Sequence, residues 1–173
     1  MIKKKTLTVA LAFGLPWAII MIAFNAVMNG EVTLKGFIIT LILGMVAGFA
    51  FALAMQAMAN RFLKKTIIFP DADEAIIREG GANHFRGLEA VGGKLALTDK
   101  RIVFKSHKLN IQNHQQSFEL GHLESIQATK TWKLFNNGLS LQLANQEVHR
   151  FVVDAADEWV AMIEKQRSLA GSK

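Results

Sequence analysis

The chain has 173 residues, of which 51% are hydrophobic, and its 20 Lys plus Arg against 14 Asp plus Glu give a net charge of +6. A basic chain can indicate nucleic-acid binding, but the excess cations lie in the first 65 residues, and from Thr66 onward 13 cations are balanced by 13 anions. This distribution argues against a nucleic-acid partner. The absence of cysteine fits a reducing compartment without excluding an oxidising one.

Two long uncharged runs open the chain. One has 25 residues between Lys5 and Glu31, and the other has 25 residues between Lys35 and Arg61. About 20 apolar helical residues cross a hydrocarbon core. The runs therefore predict a transmembrane hairpin within residues 1–65, with spans at about 7–28 and 37–59, followed by a second domain over residues 66–173.

Cations flank the two runs on the sides that face away from the connecting loop. There are six of them: Lys3, Lys4, Lys5, Arg61, Lys64 and Lys65. Because cations near span ends stay on the cytoplasmic side, both termini should be cytoplasmic, as in a multi-pass protein of the cell inner membrane. A cleaved signal peptide is the competing interpretation, but the first run is too long for an ordinary signal core.

Small residues repeat at four-residue spacing in both runs, including Gly44 and Gly48 in the second. Such a face lets two helices approach closely, either within one hairpin or between two copies in a homo-oligomer. No charged residue lies inside either run, which argues against an ion pathway or a proton relay.

Beyond the runs, the hydrophobic pattern changes to the period of two that half-buried strands show. Leu95 and Leu97, then Ile102 and Phe104, predict a hairpin with its turn near Asp99. Further strands are predicted near 75–78, 118–120, 126–128, 139–143 and 148–153, with turns at Asn136–Gly138 and at Asn145–Gln146. Residues 80–93 are predicted to form a loop, with Gly80, Gly81, Gly92 and Gly93 as turn glycines.

A closing helix is predicted after Asp154, which is expected to cap it, with Asp157 and Glu158 in the first turn. Trp159 and Ile163 fall on its apolar face. The resulting fold class is α+β: a two-helix hairpin, then an antiparallel β-barrel or sandwich closed by a C-terminal helix, with Trp159 as the anchor.

The stretch Gly92–Phe104 resembles the signature hairpin of GRAM domains, whose pattern is Gly-x-Leu-x-Leu-Thr-x-x-Arg-hydrophobic-x-Phe. The similarity extends over about residues 70–166. It implies a fold like that of pleckstrin-homology domains, two roughly orthogonal sheets capped by a helix, used in relatives for lipid or protein binding and not for catalysis. Arg101 belongs to the motif itself, and we expect it to support the turn through hydrogen bonds to carbonyls.

Candidate anion-binding cations in the second domain are Arg86, Lys94, Lys105 and Lys108, which either converge on a lipid headgroup or are solvated. Arg61, Lys64 and Lys65 either attract anionic headgroups or serve as a topology signal. The five histidines lack metal-ligand spacing, so neither a metal nor another cofactor is predicted.

The sequence thus predicts a membrane-anchored, non-catalytic binding module. Its predicted partner is a protein recruited at the cytoplasmic face of the membrane. Sensing of anionic phospholipid headgroups is the alternative.

Overall fold

A computed structural model describes residues 4–87, 89–107, 114–131 and 135–170, without the side chains of Lys4, Lys5 and Arg86. Its contacts divide the chain into two units, Met1–Arg61 and Phe62–Lys173. Lys3 and Lys108 lie outside the described residues.

The first unit is built from helix α1, Lys4–Asn29, and most of helix α2, Leu34–Lys65. Both are long and apolar enough to cross a membrane, judged by length and composition. Gly44 and Gly48 are buried in this unit, and a Cβ on Gly48 would collide with the carbonyl of Ala10. The small-residue face is therefore filled by the hairpin of one chain, and nothing in the described residues supports an oligomer through it.

Seven antiparallel strands and a closing helix form the second unit. They are β1 Ile76–Arg86, β2 Glu89–Thr98, β3 Arg101–Ser106, β4 Gln115–Glu119, β5 Leu123–Thr131, β6 Phe135–Leu143, β7 Val148–Val153 and helix α3 Ala156–Ala170. The predicted β2–β3 hairpin is confirmed, with Leu95 opposite Phe104 and Leu97 opposite Ile102.

The strands form one sheet in the order β4-β3-β2-β1-β7-β6-β5. The two separate sheets that the resemblance implies are joined, because β1 pairs with β2 along its length and also with β7 from Ala82 to Phe85. Seven curled antiparallel strands followed by one helix fit a pleckstrin-homology-like α+β fold.

The core of this unit lies between the concave face of the sheet and α3. Trp159 is 1% exposed and Ile163 is fully buried, so the apolar face of α3 closes the core. The helix begins later than predicted, because Ala155 adopts a φ of 53° and its carbonyl accepts the first helical hydrogen bonds, from Glu158 and Trp159. Ala155, rather than Asp154, thus occupies the position before the helix.

The predicted loop over residues 80–93 is wrong. Gly80 and Gly81 lie inside β1, Gly92 and Gly93 lie inside β2, and the turn between the strands contains Gly87 with a φ of 63°. The strand glycines leave room for neighbouring groups that a side chain would crowd. A Cβ on Gly81 would lie 3.1 Å from Leu63, and one on Gly93 would collide with the carbonyl of Lys105.

The predicted turn at Asn136–Gly138 is wrong for the same reason, because these residues belong to β6. Gly138 pairs with Thr129 on one side and with Val152 on the other, and a Cβ there would collide with Thr129. The turn at Asn145–Gln146 is confirmed, with Gln146 at a φ of 68°. Leu120, predicted in a strand, begins a short 3-10 helix, in which the Leu123 N–H donates to the Leu120 carbonyl.

The segment that follows α2 covers part of the convex face of the sheet. Ile68 is 4% exposed and packs on Ala96 and Val103, which period two places on the face opposite the core. This small second cluster holds the segment against β2 and β3.

Candidate functional site

An open pocket of about 620 Å³ lies where β1, β4 and β7 approach one another. The described residues that line it are His84, Phe85, Gly87, Gln116, Glu147, Val148 and His149. Because β4 and β1 are three places apart in the sheet, only the curl of the sheet brings them together. Among these residues Glu147 supplies a negative charge, and none is a lysine or an arginine.

Three histidines form a row beside this pocket. His84 Nδ1 lies 3.1 Å from His114 Nε2, and His84 Nε2 lies 3.4 Å from His149 Nδ1. The middle residue, His84, is 2% exposed. Its ring stacks on Phe151 with centroids 4.5 Å apart, so the row passes through the aromatic part of the core.

Local hydrogen bonds and ring contacts fix the two ends of the row. His114 donates its backbone N–H to Ser106 Oγ at 2.8 Å, and its carbonyl accepts from the Ser106 N–H at 3.0 Å. His149 packs against Phe118 with ring centroids 4.6 Å apart. The row is therefore held by β3, β4 and β7 together.

The spacing of the row couples the proton positions of its members. Each hydrogen bond between imidazoles needs one N–H and one bare nitrogen, and a neutral His84 has a single proton. His84 therefore donates to one neighbour and accepts from the other. The direction of donation decides whether His149 Nε2 carries a proton.

His149 Nε2 is the end of the row nearest to a charge. It is buried without a hydrogen-bond partner among the described residues, and Glu147 Oε2 lies 3.7 Å away. Burial lowers the pKa of His149, and the carboxylate of Glu147 offsets part of that shift. The nitrogen can act as a donor or an acceptor toward a polar group that reaches it.

The described residues contain no group of three His, Cys, Asp or Glu placed to hold a metal ion. In the row, the nitrogens of His84 face two different neighbours instead of one common point. The geometry suits hydrogen bonding.

The structure places Lys94 and Lys105 side by side, as paired residues of β2 and β3. Neither lines the pocket. Lys94 donates to Glu79 at 3.2 Å, and Lys105 donates to the carbonyl of Ile67 at 2.8 Å. The side chain of Arg86 and all of Lys108 lie outside the described part of the chain.

Arg101 pairs with carboxylates instead of the carbonyls expected from its motif. Its Nε lies 2.9 Å from Glu74 Oε1, and its NH2 group lies 2.8 Å from Asp71 Oδ2. The side chain of Glu74 is 4% exposed. Arg101 thus ties the segment before β1 to the start of β3.

The remaining predicted cations are in α2. Lys64 and Lys65 lie in its last turn, and Arg61 precedes them as the last residue of the first unit. Their role toward lipid stays a prediction.

The histidine row was missed by sequence reasoning, although one signal pointed to it. His149 has the same parity as Phe151 and Val153, the buried residues of β7, and therefore faces the core. No such signal existed for His84, because β1 was predicted to end near Arg78. His114 directly precedes β4, so strand parity did not apply to it.

No family model and no curated protein matches this chain. Among solved structures, the chain is similar to the C-terminal domain of an unknown protein from Leishmania infantum, with 18% identity and a TM-score of 0.49 over 56% of this chain and 86% of that one. The Vps36 N-terminal PH domain gives 15% identity and a TM-score of 0.49 over 61% and 87%. A Slm1 PH domain in complex with phosphoserine gives 12% identity and a TM-score of 0.44 over 54% and 96%. These likenesses assign no ligand to this chain, and the narrower GRAM resemblance stays a prediction.

Proposed function

We propose that this chain is a membrane-anchored, non-catalytic binding module that recruits a protein partner at the cytoplasmic face of the membrane. Residues 1–65 are the anchor and residues 66–173 the binding domain. Two helices long and apolar enough to cross a bilayer support the anchor, and the six flanking cations support the cytoplasmic orientation.

The pocket beside the histidine row is the observation that carries the proposal. It combines exposed Val148 with the polar groups of Gln116, His149 and Glu147. A protein segment offers N–H and C=O groups and apolar side chains that match such a lining. Glu147 adds a preference for a partner with a cation at this point.

Among the described residues of the pocket, the charge of Glu147 disfavours the alternative, an anionic lipid headgroup. A phosphate entering the pocket would face the Glu147 carboxylate. Outside the pocket, Lys94 is paired with Glu79, and Lys105 is bonded to the Ile67 carbonyl. A headgroup pocket built from both lysines would have to compete with these two contacts, which already use part of the donor capacity of each ammonium.

Site-specific photo-crosslinking in native membranes tests the proposal. A photoreactive residue at Val148, which is 48% exposed, should crosslink to a protein, and Glu147→Lys should reduce the yield at least several-fold. The matched control is Glu164→Lys, a charge reversal at an exposed position of α3, which should leave the yield unchanged. An equal yield with Glu147→Lys would refute the pocket as the recruiting site.

Vesicle flotation tests the lipid alternative. A fragment starting at Asn60 should float with anionic vesicles better than one starting at Thr66, because only the longer fragment has Arg61, Lys64 and Lys65. At about 0.1 M salt, charges beyond roughly 10 Å are screened. If the shorter fragment binds equally well and Arg86→Ala, a change outside the segment that follows α2, abolishes binding, headgroup sensing is the better function.

A further inference from the structure

Two large apolar side chains project from the segment that follows α2. Ile67 is 53% exposed and Phe69 is 73% exposed, whereas Ile68 between them is 4% exposed. In an extended segment, successive side chains point to opposite sides. Ile68 therefore faces the sheet, and its two neighbours face away from it.

Contacts with the sheet hold this segment in place, so the folded domain itself keeps Ile67 and Phe69 exposed. Ile68 packs on Ala96 and Val103. Lys105 Nζ donates to the carbonyl of Ile67 at 2.8 Å, and the same ammonium lies 5.6 Å from the centre of the Phe69 ring. Together Ile67, Phe69 and Lys105 make up what we call the juxtamembrane face.

The composition of this face matches the boundary between lipid headgroups and acyl chains. Lys64 and Lys65 lie immediately before it, in the last turn of α2. Interfacial segments combine Lys or Arg with apolar side chains such as Phe and Leu, and each cation near an anionic surface adds attraction. The charge of the face complements anionic phospholipids.

The short length of chain between the end of α2 and Phe69 keeps the juxtamembrane face close to the membrane. Phe69 is four positions after Lys65 in the chain, a distance of at most about 14 Å when fully extended. If α2 crosses the bilayer, its last turn lies at the membrane surface. Phe69 then lies within about 14 Å of that turn. The headgroup layer on each side is itself roughly 5–8 Å thick.

We propose that the juxtamembrane face docks on the bilayer, with Ile67 and Phe69 inserted below the headgroups and Lys105 beside anionic phosphates, and that this contact orients the binding domain. The inference rests on the proposed membrane anchor. It differs from headgroup sensing because it needs no pocket, and it leaves the pocket beside the histidine row available for a protein.

The test uses the whole chain of residues 1–173, which has no cysteine to interfere with labelling. Single cysteines at Phe69→Cys, Ile67→Cys and the exposed α3 control Glu164→Cys receive an environment-sensitive fluorophore. The protein is then reconstituted in vesicles of phosphatidylethanolamine and phosphatidylglycerol. Lipids with a quencher near the acyl carbonyl should quench the labels at residues 67 and 69 several-fold more than the label at residue 164. Equal quenching at residues 69 and 164 would overturn the inference.

A fourth label separates this inference from the anchor on which it depends. Val46 lies in α2 and is exposed on the helix surface, so Val46→Cys should be quenched by lipids with a deep quencher if α2 crosses the bilayer. Quenching at residue 46 without quenching at residue 69 would refute the juxtamembrane contact alone. No quenching at residue 46 would refute the anchor and this inference together.

Two background substitutions test the apolar insertion itself. With the label at residue 67, Phe69→Asp should reduce quenching several-fold, whereas Phe69→Leu should preserve it, because the first places a charge in the acyl region. Unchanged quenching with Phe69→Asp would contradict the inference. A label at residue 69 that is shielded in native membranes but not in pure lipid would identify a protein as the occupant, which would also overturn it.

Discussion

His84 Nε2 lies 3.4 Å from His149 Nδ1, so a buried imidazole on β1 is linked to one at the edge of the pocket on β7. Burial lowers the pKa of His149, with Glu147 opposing the shift. The unfolded chain therefore binds a proton at this residue more readily than the folded domain does. Stability from this group is complete above the unfolded pKa, about 6.5, and is lost as the pH falls below it.

We therefore expect the free energy of unfolding of a fragment from Asn60 to Lys173 to be lower at about pH 5 than at about pH 7. His149→Gln should flatten this dependence, whereas the exposed His122→Gln should leave it unchanged. Urea unfolding at several pH values measures both. A steeper dependence in His149→Gln would contradict the lowered pKa.

Arg101→Met should destabilise the same fragment by about 3 kcal/mol. The substitution leaves the nearly buried carboxylate of Glu74 without its cation. Removing one partner of a buried ion pair is strongly destabilising because the other charge stays buried and uncompensated. Lys100→Met, which removes the exposed pair with Asp73, is the matched control and should change stability little. A double-mutant cycle with Glu74→Gln measures the coupling, and an absent coupling would refute the role of the pair.

Trp159→Ala should cost about 3–5 kcal/mol in urea unfolding, the usual range for deleting a large buried aromatic. The indole is 1% exposed in the main core cluster. Met162→Ala, on the more exposed side of α3, should cost much less. A loss below about 1 kcal/mol for Trp159→Ala would mean that α3 does not close the core in solution.

Close packing of α1 on α2 within one chain predicts the outcome of thiol crosslinking. Thr6 Oγ1 donates to Gln56 Oε1 at 3.2 Å, so Thr6→Cys combined with Gln56→Cys should crosslink within one chain through a short thiol reagent. Gly48→Leu should sharply reduce the yield, because even a Cβ at this position collides with Ala10. A product at dimer mass would instead support an oligomer.

The proposed cytoplasmic position of both termini predicts opposite labelling of two positions in intact cells. A cysteine at Glu31, in the connecting loop, should react with a membrane-impermeant reagent, and one at Ser172 should react only after cell lysis. The reverse pattern would place the binding domain outside the cytoplasm.

Local patterns were enough to predict the β2–β3 hairpin and the amphipathic closing helix. Leu95, Leu97, Ile102 and Phe104 alternate with neighbours on the opposite face, and that period follows from the pleat of a single strand. Trp159 and Ile163 are four positions apart, which places them on one helix face whatever they pack against. These features depend on backbone geometry within a few residues, so the sequence by itself determined them.

Only the tertiary structure decided the role of the strand glycines and the histidine row. Gly81, Gly93 and Gly138 resemble turn residues by composition, but the groups that a Cβ would meet come from residues distant in the chain or on a paired strand. The row needs β1 beside β7 and the curl of the sheet to bring His114 to His84. The room beside each glycine and the distances between the imidazoles depend on residues that are far apart in the chain. A local periodicity does not predict which of those residues will come into contact.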